Sequence, residues 1–323
     1  MKPLITISLL LVIVLVSLSA YIRLAHSGIG CADWPSCYGH IGTPQAATAP
    51  VSAEDAYERL VEQSNEPLAW ATPLHRLVAS VLGLLIVGLC FLGYRRKQFR
   101  VSSSVLLLLT VYLALLGVRS GGLHDPAVVM GNLAGGFCML GILGWMMFRP
   151  DSTAIPGDRN LYRWTLIAVV ILAGQIFLGG LTSANFAAVA CPTLPDCQGS
   201  ILPGKEVLIA FDLSREHSVS ASGTVIGGPE RTEIHKTHRL GALLTFVAAL
   251  VAGLLAIRNS SQGCRLVGGA VLVLVALEFA VGVSAVLSGL PIALAVAHNW
   301  LAALLLLALL KLMALQQIAE DTQ

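Results

Sequence analysis

CADWPSCYG at Cys31–Gly39 and CPTLPDCQG at Cys191–Gly199 are two copies of one pattern, C-x3-P-x-C-x-G. Each follows a run of about 20 apolar residues, enough to span the hydrocarbon of a bilayer. Downstream of each, a segment opens on a His-Arg pair, His75-Arg76 in the first half and His238-Arg239 in the second. Self-similarity at an offset of about 160 residues marks an internal duplication. The repeated unit joins a membrane span, a cysteine loop and a candidate metal ligand. It divides the chain into halves, 1–150 and 151–323.

Composition sets the solvent. The sequence is 56% hydrophobic and 12% charged, with a mean hydropathy of +0.79, far from a soluble domain. Eight segments reach spanning length, at about 4–22, 75–93, 101–118, 126–148, 164–184, 237–257, 266–287 and 291–313. The first is too long and too poorly flanked for a cleavable signal, and no small-residue cleavage site precedes the cysteine loop, so it is read as helix 1. The fold expected is an all-α integral membrane protein whose eight transmembrane helices form two pseudo-symmetric four-helix bundles. A net charge of +2 names no partner. The absence of a basic tail or aromatic-basic interleaving gives no reason to expect nucleic acid.

Lys and Arg in short loops set the orientation. YRRKQFR (Tyr94–Arg100), the trio Arg149, Arg159 and Arg163, and the pair Arg258 and Arg265 fall in alternate connections. These loops and both termini are expected in the cytoplasm of a bacterial inner membrane, with the cysteine loops on the outer face. On that oxidising side disulfides persist, and the five residues between Cys31 and Cys37, or Cys191 and Cys197, include a proline that lets the chain fold back. Disulfides Cys31–Cys37 and Cys191–Cys197 are the expectation. A thiol metal site competes, but two isolated pairs suit zinc poorly. Cys90 and Cys138 read as packing residues in helices and Cys264 as a lone cytoplasmic thiol.

The eight histidines are His26, His40, His75, His124, His217, His235, His238 and His298. A ligand should recur with the duplication and lie inside the bundle, as His75 and His238 do. His298, in AVAHNWLAALL, is about seven residues into its helix, roughly 10 Å below the outer surface. Helices 6 and 8 run in the same direction, so His238 and His298 can face each other at similar depth. Ionisable groups inside a membrane are functional candidates by default. Two axial imidazoles on a heme iron are the strongest candidate, with Arg76 and Arg239 placed to meet propionates. The competing reading is a set of interfacial histidines whose arginines snorkel to headgroups. Gln175 and Glu278 each begin a Q/E-x3-G pattern, to Gly179 and Gly282. The glycines permit close helix approach, and the polar groups either bond across helices or, for Glu278, carry a proton.

AYIRLAHSGIGCADWPSCYG (Ala20–Gly39), QIFLGGLTSANFAAVACPTLPDCQG (Gln175–Gly199), IHKTHRLGAL and AVAHNWLAALL together resemble the heme A synthase family. The resemblance covers all eight helices. It implies two four-helix bundles about a pseudo-twofold axis along the membrane normal. The C-terminal bundle would hold heme b on His238 and His298. The N-terminal bundle would receive heme O at His75 and oxidise a ring methyl to formyl by successive hydroxylations. It also implies, as partners, membrane lipid and the farnesyltransferase that makes heme O. Neither the electron donor nor a homo-oligomeric state is fixed by it.

Two positions depart from the family pattern. The family reads E-x-x-H-R at the start of helix 2, where ATPLHR has Thr72. It carries a histidine in helix 4, where VVMGNLAGGF has Asn132, with Gly131 and Met130 alongside. Glu58, Glu62 and Glu66, upstream in the outer loop, are candidate substitutes for the carboxylate, Glu66 being the nearest to helix 2. These losses favour an alternative: a non-catalytic heme b protein serving electron transfer or heme handling.

Overall fold

The computed structural model describes residues 1–26, 71–119, 126–149, 157–197, 199–215, 218–219, 225–226 and 228–316. The described helices are α1 (Lys2–His26), α2 (Ala71–Arg96), α3 (Arg100–Arg119), α4 (Pro126–Phe148), α5 (Arg159–Ala184), α6 (Glu230–Ile257), α7 (Gln262–Leu287) and α8 (Ile292–Ala314). All eight contain an apolar stretch of 18 to 28 residues, long enough to cross a bilayer. The chain is therefore a multi-pass membrane protein. The all-helical expectation needs one small correction. Between α5 and α6 lie a 3-10 helix, Lys205–Phe211, and a two-residue antiparallel pairing of β1 (Ser218–Val219) with β2 (Val225–Ile226).

Helix starts differ from the apolar limits for a physical reason. The apolar run of α6 opens at about residue 237, yet the helix begins at Glu230. Its first two turns are charged, and Lys236 pairs with Glu233 at 2.8 Å three residues earlier on the same face. Hydropathy reads the lipid boundary, whereas the helix continues past it. Likewise α5 starts at Arg159 because Asp158 caps it, accepting from the backbone amides of Asn160 at 2.8 Å and Leu161 at 3.2 Å.

Packing is ordered by neighbours in sequence. In the first half α1 packs on α2 and α4, and α3 on α2 and α4; in the second α5 packs on α6 and α8, and α7 on α6 and α8. The halves meet where α4 touches α8, α1 touches α8 and α4 touches α5. One core cluster joins buried side chains of the three seam helices, among them Ile5 and Val12 of α1, Leu140 and Leu143 of α4, and Leu305 and Leu309 of α8, all at most 1% exposed. At one end Gln316 ties three helices together. Its Oε1 accepts from the Asp158 amide at 2.9 Å and its Nε2 donates to Cys264 Sγ at 2.7 Å. Cys264 is a buried thiol with a hydrogen-bond partner.

Lipid supplies no hydrophobic drive between helices, so close contact must do the joining. The buried face of α6 is accordingly small: Thr245, Ala248, Ala249, Ala252, Gly253 and Ala256. A Cβ at Gly268 of α7 would lie 2.5 Å from Ala256 Cβ, and one at Gly253 would lie 2.6 Å from Leu272 Cδ2. Replacing Gly268 by Val should lower stability by about 1–3 kcal/mol, read as thermal unfolding in detergent. Gly269→Val is the control, since a Cβ there meets nothing within 4 Å; an equal loss in both variants would rule out the close contact as the cause.

Candidate functional site

His238 of α6 and His298 of α8 face each other with ring centroids 6.4 Å apart and planes at 87°. The elements behind them repeat the same construction. On α5, a Cβ at Gly179 would lie 3.1 Å from His238 Cε1; on α7, a Cβ at Gly282 would lie 3.1 Å from His298 Cε1. Each ring edge thus lies closer to its glycine than a Cβ ordinarily packs. One turn before each glycine, on the same helix face, stands a polar side chain aimed at the ring. Gln175 Nε2 lies 3.0 Å from His238 Nδ1 and 3.0 Å from the His238 carbonyl. Glu278 Oε1 lies 3.2 Å from His298 Nδ1. The two Q/E-x3-G patterns are therefore two imidazole cradles, each with a polar partner for Nδ1 and a glycine gap for the ring.

The donor set fits a heme iron. Two imidazoles that each reach a common metal at about 2.0 Å place their centroids roughly 6.2–6.4 Å apart, and here the separation is 6.4 Å. Holding Nδ1 leaves Nε2 of each ring as the ligand atom, which requires Nδ1 to carry the proton and its partner to accept it. Glu278 places a carboxylate oxygen 3.2 Å from His298 Nδ1, within ion-pair range though outside hydrogen-bond alignment. Gln175 is set the other way: its Nε2 donates to the His238 carbonyl, and its Oε1 stays buried without a partner, as does Glu278 Oε2. Among the described residues no cluster of three or more His, Cys, Asp or Glu gathers.

The second cysteine loop is fastened above this pair. Cys191 and Cys197 are disulfide-bonded, with Cα atoms 5.1 Å apart. Cys197 and Ser200 exchange backbone hydrogen bonds at 3.0 and 3.1 Å around a tight turn. Gly199 sits there at φ +83, a backbone region that side chains disfavour. This explains the glycine that closes the C-x3-P-x-C-x-G pattern. Arg239 holds the loop: its guanidinium donates to the carbonyls of Cys191, of Thr193 at 2.7 Å and of Asp196 at 3.4 Å. Three hydrogen bonds from Nη1 and Nη2 thus point at the loop, and the buried Nε is without a partner. The sequence placed Arg239 opposite a propionate; here its first engagement is with the loop.

Residues without a sequence-derived role complete the clamp. His235 Nδ1 donates to the Ala187 carbonyl at 3.0 Å, Arg231 Nε donates to the Phe186 carbonyl at 2.9 Å, and Asn185 Nδ2 donates to the Ala210 carbonyl at 3.0 Å. Arg215 bridges Glu230 Oε1 at 2.9 Å and Asn185 Oδ1 at 2.8 Å. Backbone carbonyls accept most of these bonds, and no sequence motif marks them.

On the first half, His75 is half-buried and Arg76 exposed on α2. Asn132 is half-buried on α4. Met130, weighed as a substitute ligand, is 3% exposed. A Cβ at Gly180 of α5 would lie 2.8 Å from its sulfur, so the thioether packs in the seam. Cys31, Cys37, His40, Glu58, Glu62, Glu66, His124 and His217 lie outside the described residues, as does the Thr72 side chain.

Among known proteins, residues 2–310 match the family model of cytochrome oxidase assembly protein, COX15-CtaA. A heme A synthase of Shewanella oneidensis is 33% identical over 314 residues, covering 95% of this chain and 93% of that protein. Heme A synthases of Granulibacter bethesdensis, 25% identical over 92% of this chain and 82% of that protein, and of Halalkalibacterium halodurans, 24% identical over 91% and 89%, are more distant.

The cradles give a direct test. Gly179→Leu and Gly282→Leu each push a side chain into the ring edge. Both variants should lose the low-spin two-imidazole spectrum when the purified protein is titrated with hemin, with helicity unchanged. Gly174→Leu should leave it intact, because a Cβ there meets nothing within 4 Å. Normal spectra in both cradle variants would show that the glycines do not position the histidines.

Proposed function

Since this chain belongs to the COX15-CtaA family of cytochrome oxidase assembly proteins, we propose that it is a heme A synthase-like oxidoreductase that converts a ring methyl of heme O to the formyl of heme A. The observation that carries this reading is the pair of matched cradles, which hold His238 and His298 at the spacing two axial ligands need. Heme b bound there would supply electron relay. Two imidazoles leave no open coordination position, so the substrate heme belongs in the other half, at His75.

The chain's own residues do the preparatory work. Gln175 and Glu278 fix the orientation of the two rings through Nδ1. Gly179 and Gly282 let α5 and α7 approach them. Arg239 fastens the disulfide loop next to His238. Arg76, exposed on α2, is free to meet a propionate on the first half. For Arg239 the same role falls to the donor hydrogens that the loop does not engage, Nε among them. Glu66 is the candidate carboxylate for proton handling in place of Thr72.

The pattern of helix contacts supports a two-bundle architecture. Exchanging α1–α4 for α5–α8 maps each helix contact within a half onto one in the other, maps α1–α8 onto α5–α4, and leaves α4–α8 unchanged. We take this as a pseudo-twofold relation between 1–150 and 151–323. The placement of Lys and Arg supports cytoplasmic termini in a bacterial inner membrane, with both cysteine loops outside and a second disulfide at Cys31–Cys37. The farnesyltransferase that makes heme O is the partner this chemistry requires.

Thr72 and the missing helix-4 histidine favour a second reading, a heme b protein without turnover. Pigment extraction after co-expression with a heme O farnesyltransferase separates the two. Heme A or a hydroxylated intermediate is the expected product; heme b alone would replace the enzyme by the binding protein. Independently, His238→Ala and His298→Ala should each abolish the low-spin α band of reduced protein. An unchanged six-coordinate spectrum in both variants would remove the heme b assignment.

A further inference from the structure

The connection between α5 and α6 carries apolar residues that the histidine pair does not use. In the 3-10 helix Lys205–Phe211, positions i and i+3 lie one above the other, so KEVLIAF sorts into three faces. Val207 and Ala210 face the protein: Ala210 is buried, and both belong to one cluster with Leu181 of α5, Met130 of α4 and Ile234 of α6. Lys205, Leu208 and Phe211 form a second face, with Leu208 72% and Phe211 43% exposed. Glu206 and Ile209 form the third. Single exposed apolar residues need no explanation, whereas an apolar face does.

The neighbour of that second face identifies its surroundings. Along α5 the exposed residues Ile167, Val170, Gly174 and Phe177 recur every three or four positions. That is the period of one helix face, and in a membrane span such a face meets lipid. Leu181 is the next position of the stripe, yet it is fully buried. Asn185 joins it to the 3-10 helix, its Nδ2 donating to the Leu181 carbonyl at 2.9 Å and to the Ala210 carbonyl at 3.0 Å. Phe211 then stands beside Phe177, with ring centroids 6.4 Å apart. Phe177 lies about seven residues before the end of α5, roughly 10 Å along the axis at 1.5 Å per residue. The 3-10 helix therefore returns down the lipid side of α5 instead of rising away from the bilayer.

We propose that Lys205–Phe211 is an interfacial anchor whose Leu208 and Phe211 side chains insert among the acyl chains of the leaflet on the side of the second cysteine loop. Faces of this kind sink about 5–10 Å into the boundary between headgroups and chains, the level to which Phe177 brings Phe211. Lys205, at the start of the same face, has a stem long enough to return its ammonium to the headgroups. A backbone carbonyl held away from water needs a donor, and Asn185 supplies one to Ala210. Asn185 Oδ1 accepts in turn from Arg215, which pairs with Glu230 in the first turn of α6. The anchor thus ties the bilayer surface to both helices that flank the second cysteine loop.

Photo-crosslinking tests this placement. p-Benzoylphenylalanine is introduced singly at Leu208, Phe211 or Glu206 of the full-length protein, in vesicles of phosphatidylethanolamine and phosphatidylglycerol. After irradiation, mass spectrometry of the intact chain should show phospholipid adducts for the Leu208 and Phe211 variants and their loss for the Glu206 variant. Leu208 is exposed enough that its replacement removes little packing, so that variant reads the face even where the Phe211 variant folds poorly. Crosslinks from position 208 to a second copy of the chain would replace lipid by an interface between copies. No adduct at 208 would place the face in water, and equal labelling at 206 would show that no face is preferred; either result overturns the anchor.

Discussion

A bilayer interior offers an imidazole neither water nor spare room, and this protein answers both needs with one helical pattern. A polar residue and a glycine one turn apart project to the same face, so the first can hold Nδ1 while the second opens the gap that the ring enters. Gln175 and Gly179 do this for His238, and Glu278 and Gly282 for His298. The arrangement also fixes how helices sit. Gln175 reaches both the ring and the backbone carbonyl of His238, so α6 cannot slide along α5 without losing two bonds in a medium that replaces neither. Site geometry and helix register are here the same constraint.

The second cysteine loop obeys a related rule. Its irregular backbone presents carbonyls that no helix satisfies, and unpaired backbone groups away from water are costly. Arginines from the first turns of α6 supply the donors: Arg231 for Phe186, Arg239 for Cys191, Thr193 and Asp196. This is why α6 extends two charged turns beyond its apolar run. The added turns give the loop something rigid to bond to, and they set the disulfide beside the histidine pair.

Which parts of this were legible in the sequence follows from where the information is stored. Spans are legible because twenty apolar residues have few other uses. His75, His238 and His298 are legible because duplication repeats two of them and depth singles out the third. The Q/E-x3-G pattern was visible as well, but its target was not: spacing along α5 says which face Gln175 shares with Gly179, and nothing about which residue of α6 stands opposite. The loop bonds of Arg239 were not legible for the same reason: they depend on a backbone path that leaves no residue signature. The start of α6 was missed because apolar periodicity ends where lipid ends.

The asymmetry between the halves has an energetic logic of its own. A cradle works as a triplet. If the histidine alone were removed from Glu278, Gly282 and His298, the carboxylate would remain in a low-dielectric space without its partner, and leaving one member of a buried charged pair costs about 3–5 kcal/mol. A half that gives up the ligand is therefore driven to give up the carboxylate too, whereas the glycine carries no such penalty.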